Sequence, residues 1–274
     1  MRHPKKVVAV VVPLCNRPGL TQSEQISLQH LRHFLGKYDK FMLAPTGLEV
    51  ARPDFHIKRF PDRFFGSPLA NTRLMLSPEF YEAFDEYRYL LVYQLDALVF
   101  CDQLLEWCET NLDYIGAPWI HCPDSPWVRV PRVGNGGFSL RKVESFRRVL
   151  HSDRYQIEPA RYWTEFCRSR STVGQVANLP RKYLKRLRMF NSATWEASRW
   201  HLQSDGTRNE DHFWSDRATS YDPEFTIASV ATGLRFAFEC GPRLCFEMNN
   251  RQLPFGCHAW ERYDRAFWEP YLLK

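Results

Sequence analysis

Long hydrophobic runs are absent from this sequence of 274 residues. The longest uninterrupted apolar segment, Val7–Val12, has the length of a β-strand, whereas a membrane-spanning helix needs about 18 or more apolar residues. We therefore expect no transmembrane helix. The same segment is too short for the hydrophobic part of a secretory signal, and Pro13 ends it without a cleavage site of small residues, so we expect no signal peptide either.

The sequence also lacks the motifs that mark several large enzyme classes. It contains no P-loop sequence and no H-E-x-x-H sequence, and Gly134–Gly137 lacks the last glycine of the dinucleotide-binding fingerprint. The eight cysteines include no C-x-x-C pair, which argues against a zinc site. A chain of this length needs no disulfide framework, so we expect the reducing environment of the cytoplasm.

The sequence does contain ample material for a core. Apolar residues make up 44% and aromatic residues 15% of the chain, while 25% of the residues are charged. These values are typical of a folded globular protein and exclude a disordered chain. The length fits one large α/β domain, and we predict a single domain over residues 1–274.

The chain begins with a strand–helix–strand pattern. Val7–Val12 is a β-branched run typical of a strand that is buried on both faces. Thr21 and Glu24 have the spacing of a capping box at the start of a helix, and residues 40–44 (KFMLA) predict a second strand. Tyr89–Tyr93 predicts a further buried strand. This alternation predicts an α/β fold.

The segment from residue 141 to residue 190 differs from the rest of the chain in charge. It holds 13 Lys and Arg residues against 4 Asp and Glu residues, a balance of +9, whereas the remaining residues sum to −3. We predict a basic helical insertion over about residues 151–200. A solvated helix face fits this charge, and so does a surface for anionic lipid headgroups or an acidic carrier. We expect no nucleic-acid partner, because no nucleic-acid-binding module accompanies the charge.

A single carboxylate, Asp96, closely follows the predicted strand Tyr89–Tyr93. Side chains at the carboxyl ends of such strands face the crevice in which α/β sheets bind ligands. A carboxylate there can hold a divalent cation that bridges two phosphates. An aspartate that caps a turn fits the pattern as well.

Three later segments carry polar side chains that suit a binding or catalytic site. Val133–Arg141 contains three glycines that let the backbone approach a ligand, and Asn135 can bond to hydroxyl groups; a tight hairpin turn is the alternative. Glu210 and Asp211 precede an apolar pattern, either as acids that favour a helix N-terminus or with one carboxylate as a general base. His258 lies in a glycine-containing turn, either as a buried structural residue or as a metal ligand.

The order of these segments resembles the DUF5672 family, whose members are regarded as glycosyltransferases. The resemblance extends from about Val7 to Trp260 and is most specific in the segments YQLDALVF, GNGGFSLR and PFGCHAW. More distantly, the layout is similar to that of GT-A glycosyltransferases, which bind nucleotide sugars on a Rossmann-like mixed sheet. The resemblance implies a mixed sheet flanked by helices, with residues 151–200 as a basic insertion or a region on the acceptor side.

The resemblance also implies a donor site. Asp96 matches the last acid of the GT-A D-x-D motif, and Gln94 replaces the first acid, so the affinity for a cation should be reduced. His258 matches a C-terminal histidine that completes the metal site, which makes Asp96 and His258 the expected ligands of Mn²⁺ or Mg²⁺. The consecutive pair Gly136–Gly137, with Asn135 beside it, matches the loop that cradles the donor sugar.

Further roles follow from the same resemblance. Pro13 would begin the nucleotide pocket, and Asn71 and Arg73 would contact the base or the ribose. Asp211 matches the acid that serves as the catalytic base in inverting GT-A enzymes, and Glu210 is its neighbour in the same motif.

Three tryptophans are candidates for contacts with sugar rings. Trp119, Trp214 and Trp260 can offer apolar faces to a sugar, although each fits a hydrophobic core equally well.

The resemblance therefore predicts transfer of a sugar from a nucleotide donor, a UDP-sugar, to a glycan or a lipid-linked saccharide, with inversion and with help from a metal ion. The expected location is the cytoplasm, including the inner face of the membrane, where the basic segment can contact anionic lipids. A carbohydrate-binding or assembly protein without catalysis is one alternative, because Gln94 replaces an acid. A sugar nucleotidyltransferase is another, although residues 13–18 lack the glycine-rich basic signature that such enzymes carry.

Overall fold

The structure is a computed structural model that describes residues 4–14, 17, 19–50, 52–202 and 209–273. The strands among these residues are β1 (Lys6–Pro13), β2 (Asp39–Pro45), β3 (His56–Phe60), β4 (Tyr87–Tyr93), β5 (Leu98–Val99), β6 (Tyr114–Gly116), β7 (Pro118–Trp119), β8 (Arg132–Val133), β9 (Phe138–Lys142), β10 (Ala237–Phe238) and β11 (Gly256–Cys257). The α-helices are α1 (Gln22–Leu35), α2 (Pro68–Met75), α3 (Pro78–Glu82), α4 (Leu104–Glu109), α5 (Val143–Leu150), α6 (Pro159–Arg161), α7 (Thr172–Leu184), α8 (Ala193–Ser198), α9 (Glu210–Tyr221), α10 (Val230–Phe236), α11 (Pro242–Met248) and α12 (Arg265–Trp268). Single turns of 3₁₀-helix cover Asp62–Phe64, Arg188–Phe190, Trp200–Leu202 and Glu269–Tyr271, and Tyr162–Cys167 forms a π-helix.

Six strands form the central sheet in the order β3-β2-β1-β4-β9-β6. The first four run parallel to one another, whereas β9 runs antiparallel to both β4 and β6. The mixed α/β sheet expected from the sequence is therefore confirmed. The chain leaves β1 toward β2 on one side and later returns to β4 on the other side of β1. In α/β sheets, the carboxyl ends of strands at such a reversal border a ligand crevice.

Apolar side chains cover both faces of the central sheet. On β1, Ala9 and Val11 pack with α2, α3, α5 and α9, while Val10 and Val12 pack with α1 and α4 on the opposite face. Burial on both faces is the environment that the β-branched run predicts. The helices therefore flank the sheet on both sides, and its edges are left for the connecting loops.

A second, smaller sheet joins the C-terminal part of the chain to the segment after β4. Its three strands lie in the order β10-β11-β5. Cys257 on β11 is paired in parallel with Phe238 and antiparallel with Leu98. Around these strands, Trp260 and Trp268 form the centre of a third apolar cluster.

The basic segment is helical, as the sequence predicts. Residues 151–200 form α6, the π-helix, α7, a 3₁₀ turn and α8. Within the part of the chain that the structure describes, no helix combines the length and the hydropathy that crossing a bilayer would require.

The first helix begins with the predicted capping box. The Glu24 N–H donates to Thr21 Oγ1 at 3.2 Å, and the Thr21 N–H donates to Glu24 Oε2 at 2.7 Å. We expect Thr21→Ala to lower the free energy of unfolding by about 1 kcal/mol, because the Glu24 N–H loses the hydroxyl oxygen that accepts it. Denaturant unfolding measures this change. Thr21→Ser is the matched control, since it keeps the hydroxyl; equal destabilisation by both variants would contradict the role of the cap.

Candidate active site

A cavity of about 810 Å³ opens at the carboxyl edge of the central sheet. Its walls come from the ends of β1 and β4, the glycine-rich loop before β9, helix α2, the start of α9 and the loop after β11. This is the crevice that the reversal of strand order predicts. The volume lies within the range of about 300–1,000 Å³ that is common for small-molecule sites.

The backbone at Gly136 and Gly137 passes between two side chains from distant parts of the chain. A Cβ atom on Gly136 would lie 2.0 Å from Glu210 Oε1, and one on Gly137 would lie 2.1 Å from His258 Nε2. Glycine is the residue that permits such a close approach. The Gln94 N–H donates to the Gly137 carbonyl at 2.8 Å, which ties the loop to the end of β4. The two consecutive glycines therefore allow the start of α9 and the C-terminal loop to pack closely against the glycine-rich loop, which forms one wall of the cavity.

Glu210 is held by a buried arginine. Arg141 Nη2 donates to Glu210 Oε1 at 2.8 Å and to the Gly136 carbonyl at 3.1 Å. The Nη1 and Nε atoms of the same guanidinium donate to Tyr81 Oη and Ser139 Oγ, respectively, both at 3.0 Å. The Arg141 side chain is fully buried. Burial acts to lower the pKa of Arg141, but Tyr81 and Glu210 raise this pKa above its usual value. Burial raises the pKa of Glu210 against the opposing effect of Arg141.

His258 is the centre of a second polar group. Its Nδ1 lies 2.9 Å from Glu239 Oε1 and 2.9 Å from Asn135 Nδ2. Its Nε2 lies 3.2 Å from Asp96 Oδ1 and 3.1 Å from Gln94 Oε1. Burial acts to lower the pKa of His258, but Asp96 and Glu239 raise it well above its usual value. Burial likewise acts to raise the pKa of Asp96, which His258 holds below its usual range.

The small sheet explains why these residues meet. Glu239 directly follows β10 and His258 directly follows β11, and because the two strands are paired in parallel the two residues are neighbours. Asp96 stands two positions before β5, which pairs antiparallel with β11. The Trp260 N–H also donates to the Asp96 carbonyl at 3.2 Å. Strand register therefore places the two carboxylates on either side of the imidazole.

The Nε2 side of His258 brings together an imidazole and two side-chain oxygen atoms, which are the kinds of ligand that a divalent cation can use. Neighbouring ligands of an octahedral ion with bonds of about 2.1 Å are about 3 Å apart, and Asp96 Oδ1 and Gln94 Oε1 lie at similar distances from Nε2. Glu239 on the opposite nitrogen matches the carboxylates that orient metal-binding histidines. Among the described residues, no three or more His, Cys, Asp or Glu side chains are grouped so that they could hold an ion. A cation here would therefore need oxygen ligands from a bound molecule.

Asp211 lines the cavity from the first turn of α9. Its Oδ1 accepts the backbone N–H of His212 at 2.8 Å and lies 3.0 Å from His212 Nδ1. In the described parts of the chain, no group donates to Oδ2. Glu210, by contrast, is engaged by Arg141, and this ion pair favours a positioning role over proton transfer.

Three rings form an aromatic wall next to Asp211. The His212 ring stacks on Trp119 with centroids 4.3 Å apart, and Trp127 lies 5.4 Å from Trp119 and 5.6 Å from His212. Trp119 is only 3% exposed, whereas Trp127 is 50% exposed. Trp127 is therefore the more accessible of the two tryptophan rings in this wall.

Most of the residues predicted from the sequence meet at this cavity. Its lining includes Pro13, Asn71, Gln94, Asp96, Trp119, Asn135, Gly136, Gly137, Glu210, Asp211 and His258. Asn71 Oδ1 is buried without a hydrogen-bond partner in the described residues, which leaves it free to accept a bond from a ligand.

Three predicted site residues lie elsewhere. Arg73 is exposed on α2 and is outside the cavity lining. Trp214 packs against Phe146 in the core, and Trp260 lies in the third apolar cluster. The prediction that Trp214 and Trp260 stack on sugar rings is wrong, because both side chains are fully buried.

Sequence reasoning does not identify Arg141, Glu239 or Trp127. Arg141 ends the segment GNGGFSLR, and Glu239 ends the segment FAFE. A charged residue at the end of an apolar strand is a weak signal for a buried partner, since an isolated buried charge is unstable. Trp127 lies in an irregular loop and carries no signal beyond its residue type.

Comparison with known proteins identifies the family. Residues 54–258 match the family described as "Protein of unknown function (DUF5672)", and the chain therefore belongs to this family. The resemblance to DUF5672 is thus confirmed over residues 54–258. None of the curated proteins compared with the chain matches it.

Solved structures also match the chain. One is the apo-form glycosyltransferase GlyE from Streptococcus pneumoniae TIGR4, with a TM-score of 0.46 and 12% sequence identity. The match covers 98% of this chain and 61% of that chain, so the protein spans less than two thirds of the length of GlyE.

The buried ion pair generates a stability prediction. We expect Arg141→Met to lower the free energy of unfolding by about 3–5 kcal/mol, because Glu210 is left as an unpaired buried carboxylate. The double variant Arg141→Met/Glu210→Met removes both charges and should recover most of this loss. Denaturant unfolding of the single and double variants measures the difference; a double variant no more stable than the single one would contradict the pairing.

Proposed function

We propose that the protein is a glycosyltransferase that moves a sugar from a nucleoside diphosphate donor to a hydroxyl group of a glycan or a lipid-linked saccharide. This proposal is supported by one observation: the Asp96–His258 pair and the Asp211 carboxylate line the same cavity. Asp96 and His258 suit a cation beside a diphosphate, and Asp211 has a carboxylate oxygen, Oδ2, to which no group in the described residues donates. A departing diphosphate requires positive charge and an attacking hydroxyl requires a base, and these two groups would meet both needs of the reaction. We propose a UDP-sugar as the donor on the family resemblance alone.

The donor diphosphate would bind on the Nε2 side of His258. Asp96 and His258, with the side-chain amide oxygen of Gln94, would hold Mn²⁺ or Mg²⁺, which prefer oxygen and imidazole ligands. When bound, the cation supplies Lewis-acid stabilisation of the charge that develops on the leaving group. Glu239 would keep the imidazole oriented, and Arg262 adds a positive charge to the same cavity lining.

Asp211 would accept the proton of the acceptor hydroxyl. As the acceptor oxygen bonds to C1 of the donor sugar, the bond from C1 to the β-phosphate oxygen breaks and its electron pair leaves with the nucleoside diphosphate. Attack from the face opposite the leaving group inverts the configuration at C1. The bonds from His212 to Oδ1 fix the carboxylate, and Trp127 provides an exposed ring for a sugar face.

A carbohydrate-binding protein without catalysis is the second candidate. It is favoured by Gln94 at a position where an acid would strengthen a cation site, and by the lack of a three-ligand cluster within the described residues. Hydrolysis of a UDP-sugar by the purified protein distinguishes the two, because only the enzyme releases UDP. Hydrolysis that is lost in an Asp211 variant supports the glycosyltransferase.

The base is tested by Asp211→Asn. We expect turnover to fall about 10²–10⁴-fold, because general base catalysis contributes that much, while the affinity for the donor persists. Asp216→Asn, on the same helix, is the matched control and should retain activity. A transfer assay gives turnover, and NMR of the product gives the anomeric configuration. Near-normal turnover of Asp211→Asn would remove this residue from the mechanism.

The cation site is tested by Asp96→Asn. We expect calorimetric binding of UDP in the presence of Mn²⁺ to weaken about tenfold or more, because a charged ligand of the cation is lost. Asp124→Asn changes another carboxylate of the cavity lining and should have little effect. UDP affinity that is the same with and without Mn²⁺ in the unaltered protein would count against a metal site.

A further inference from the structure

Helix α7 turns a row of large apolar side chains to solvent. Val173, Val176 and Tyr183 are 79%, 61% and 59% exposed, and Leu179 and Leu184 are exposed as well. Positions that recur every third or fourth residue share one side of an α-helix, so these side chains form a continuous surface. We call these five residues the α7 face.

The exposed apolar surface is concentrated in this part of the chain. Fifteen large hydrophobic side chains are exposed among the described residues, and seven of them lie between residues 173 and 189. Leu187 and Met189 continue the α7 face beyond the end of the helix. Single exposed apolar residues are ordinary on protein surfaces, but a contiguous group marks a site of interaction.

The inner side of α7 is polar. Asn178 is the buried residue of this helix; its Nδ2 donates to the Gly174 carbonyl at 2.7 Å, and its Oδ1 accepts from Arg181 at 3.2 Å. A surface helix ordinarily buries its apolar side and exposes its polar side. Because α7 has the opposite arrangement, its apolar side is available for something outside the described chain.

Positive charge is concentrated in the segment that carries the α7 face. Residues 166–190 contain no Asp or Glu and seven cations, which are Arg168, Arg170, Arg181, Lys182, Lys185, Arg186 and Arg188. Lys182 Nζ lies 4.4 Å from the centroid of a Trp163 ring, and Lys185 Nζ lies 5.9 Å from the centroid of Tyr162. An apolar helix face combined with a Lys- and Arg-rich polar face is typical of helices that lie in the membrane interface.

We propose that the α7 face docks on a membrane surface that contains anionic lipids. The apolar side chains would enter the headgroup region, and exposed arginines of the same segment, such as Arg168, Arg186 and Arg188, would contact lipid phosphates and carboxylates. The inference stands on exposure and charge, and it does not depend on the proposed sugar transfer. Together with that proposal, it would place the protein where a lipid-linked acceptor is found.

Two other occupants fit the observations less well. A second copy of the chain would bring another segment with a balance of +9 against the first, and like charges oppose such contact. A nucleic acid would use the cations but would leave the aliphatic side chains unused. The joint presence of apolar surface and positive charge favours the anionic membrane.

Vesicle co-sedimentation of the full chain tests the proposal. The two vesicle types are phosphatidylcholine alone and phosphatidylcholine mixed with phosphatidylserine. We expect binding to the mixed vesicles and little binding to the neutral ones. Raising the ionic strength to about 0.5 M should weaken the binding, because salt screens the contribution of the cations.

A charge variant tests the contribution of the cations. Arg168→Gln/Arg186→Gln should lower the partition coefficient about fivefold for each charge removed. Arg63→Gln/Arg251→Gln removes two exposed arginines from other parts of the surface and should leave binding nearly unchanged. Equal losses in the two variants would show that only the net charge matters and would overturn the assignment to this segment.

An apolar variant tests the α7 face itself. Val173→Ser/Val176→Ser should lower the partition coefficient about tenfold or more, because apolar surface no longer leaves water on binding. Leu244→Ser/Met248→Ser changes two exposed side chains on α11 and should have no comparable effect. Circular dichroism of each variant verifies that the fold is kept.

Three results would overturn the proposal. The first is an absence of binding to the mixed vesicles, and the second is equal binding to neutral and mixed vesicles. The third is a stable dimer in light scattering that Val173→Ser/Val176→Ser dissociates, since the α7 face would then be an interface between copies.

Discussion

The close approach of the backbone at Gly136 and Gly137 to two distant side chains is the constraint on which the site depends. Glu210 lies against the first glycine and His258 against the second, at distances that exclude a Cβ atom. The glycine-rich loop precedes β9, whose antiparallel course brings the loop to the carboxyl edge of β4. As a result, the start of α9 and the C-terminal loop meet the end of a central strand in one cavity.

Two further devices hold the flanking residues in place. The Arg141–Glu210 pair is buried, and Arg141 makes further hydrogen bonds to Tyr81, Ser139 and the Gly136 carbonyl, which help two charges to remain stable away from water. The small sheet aligns Asp96, Glu239 and His258, although each of its strands has only two residues. Its stability therefore comes from the apolar cluster around it rather than from backbone pairing alone.

The central sheet and the first helix could be predicted from the sequence because their signals are local. A β-branched run, a capping box and an acid just past a buried strand each lie within a few residues, and the structure contains all three features. The partnership of Glu239 with His258 arises from the register of two-residue strands, which are too short to show a periodic pattern. The sequence also does not predict that Trp214 and Trp260 are buried, since a tryptophan suits a core and a sugar site alike. For α7, the charge is visible in the sequence, but the side of the helix that faces solvent is decided by tertiary packing.

The cavity and the α7 face suggest a protein that combines a small-molecule site with a docking surface, and the cavity carries the proposed chemistry. A crystal structure of the protein with UDP and Mn²⁺ tests that assignment most directly. We expect anomalous density for Mn²⁺ at bonding distance from Asp96 and His258 Nε2, with the diphosphate completing the coordination and Asp211 in the same cavity. UDP bound elsewhere on the chain, or Mn²⁺ bound away from Asp96 and His258, would contradict the proposed site.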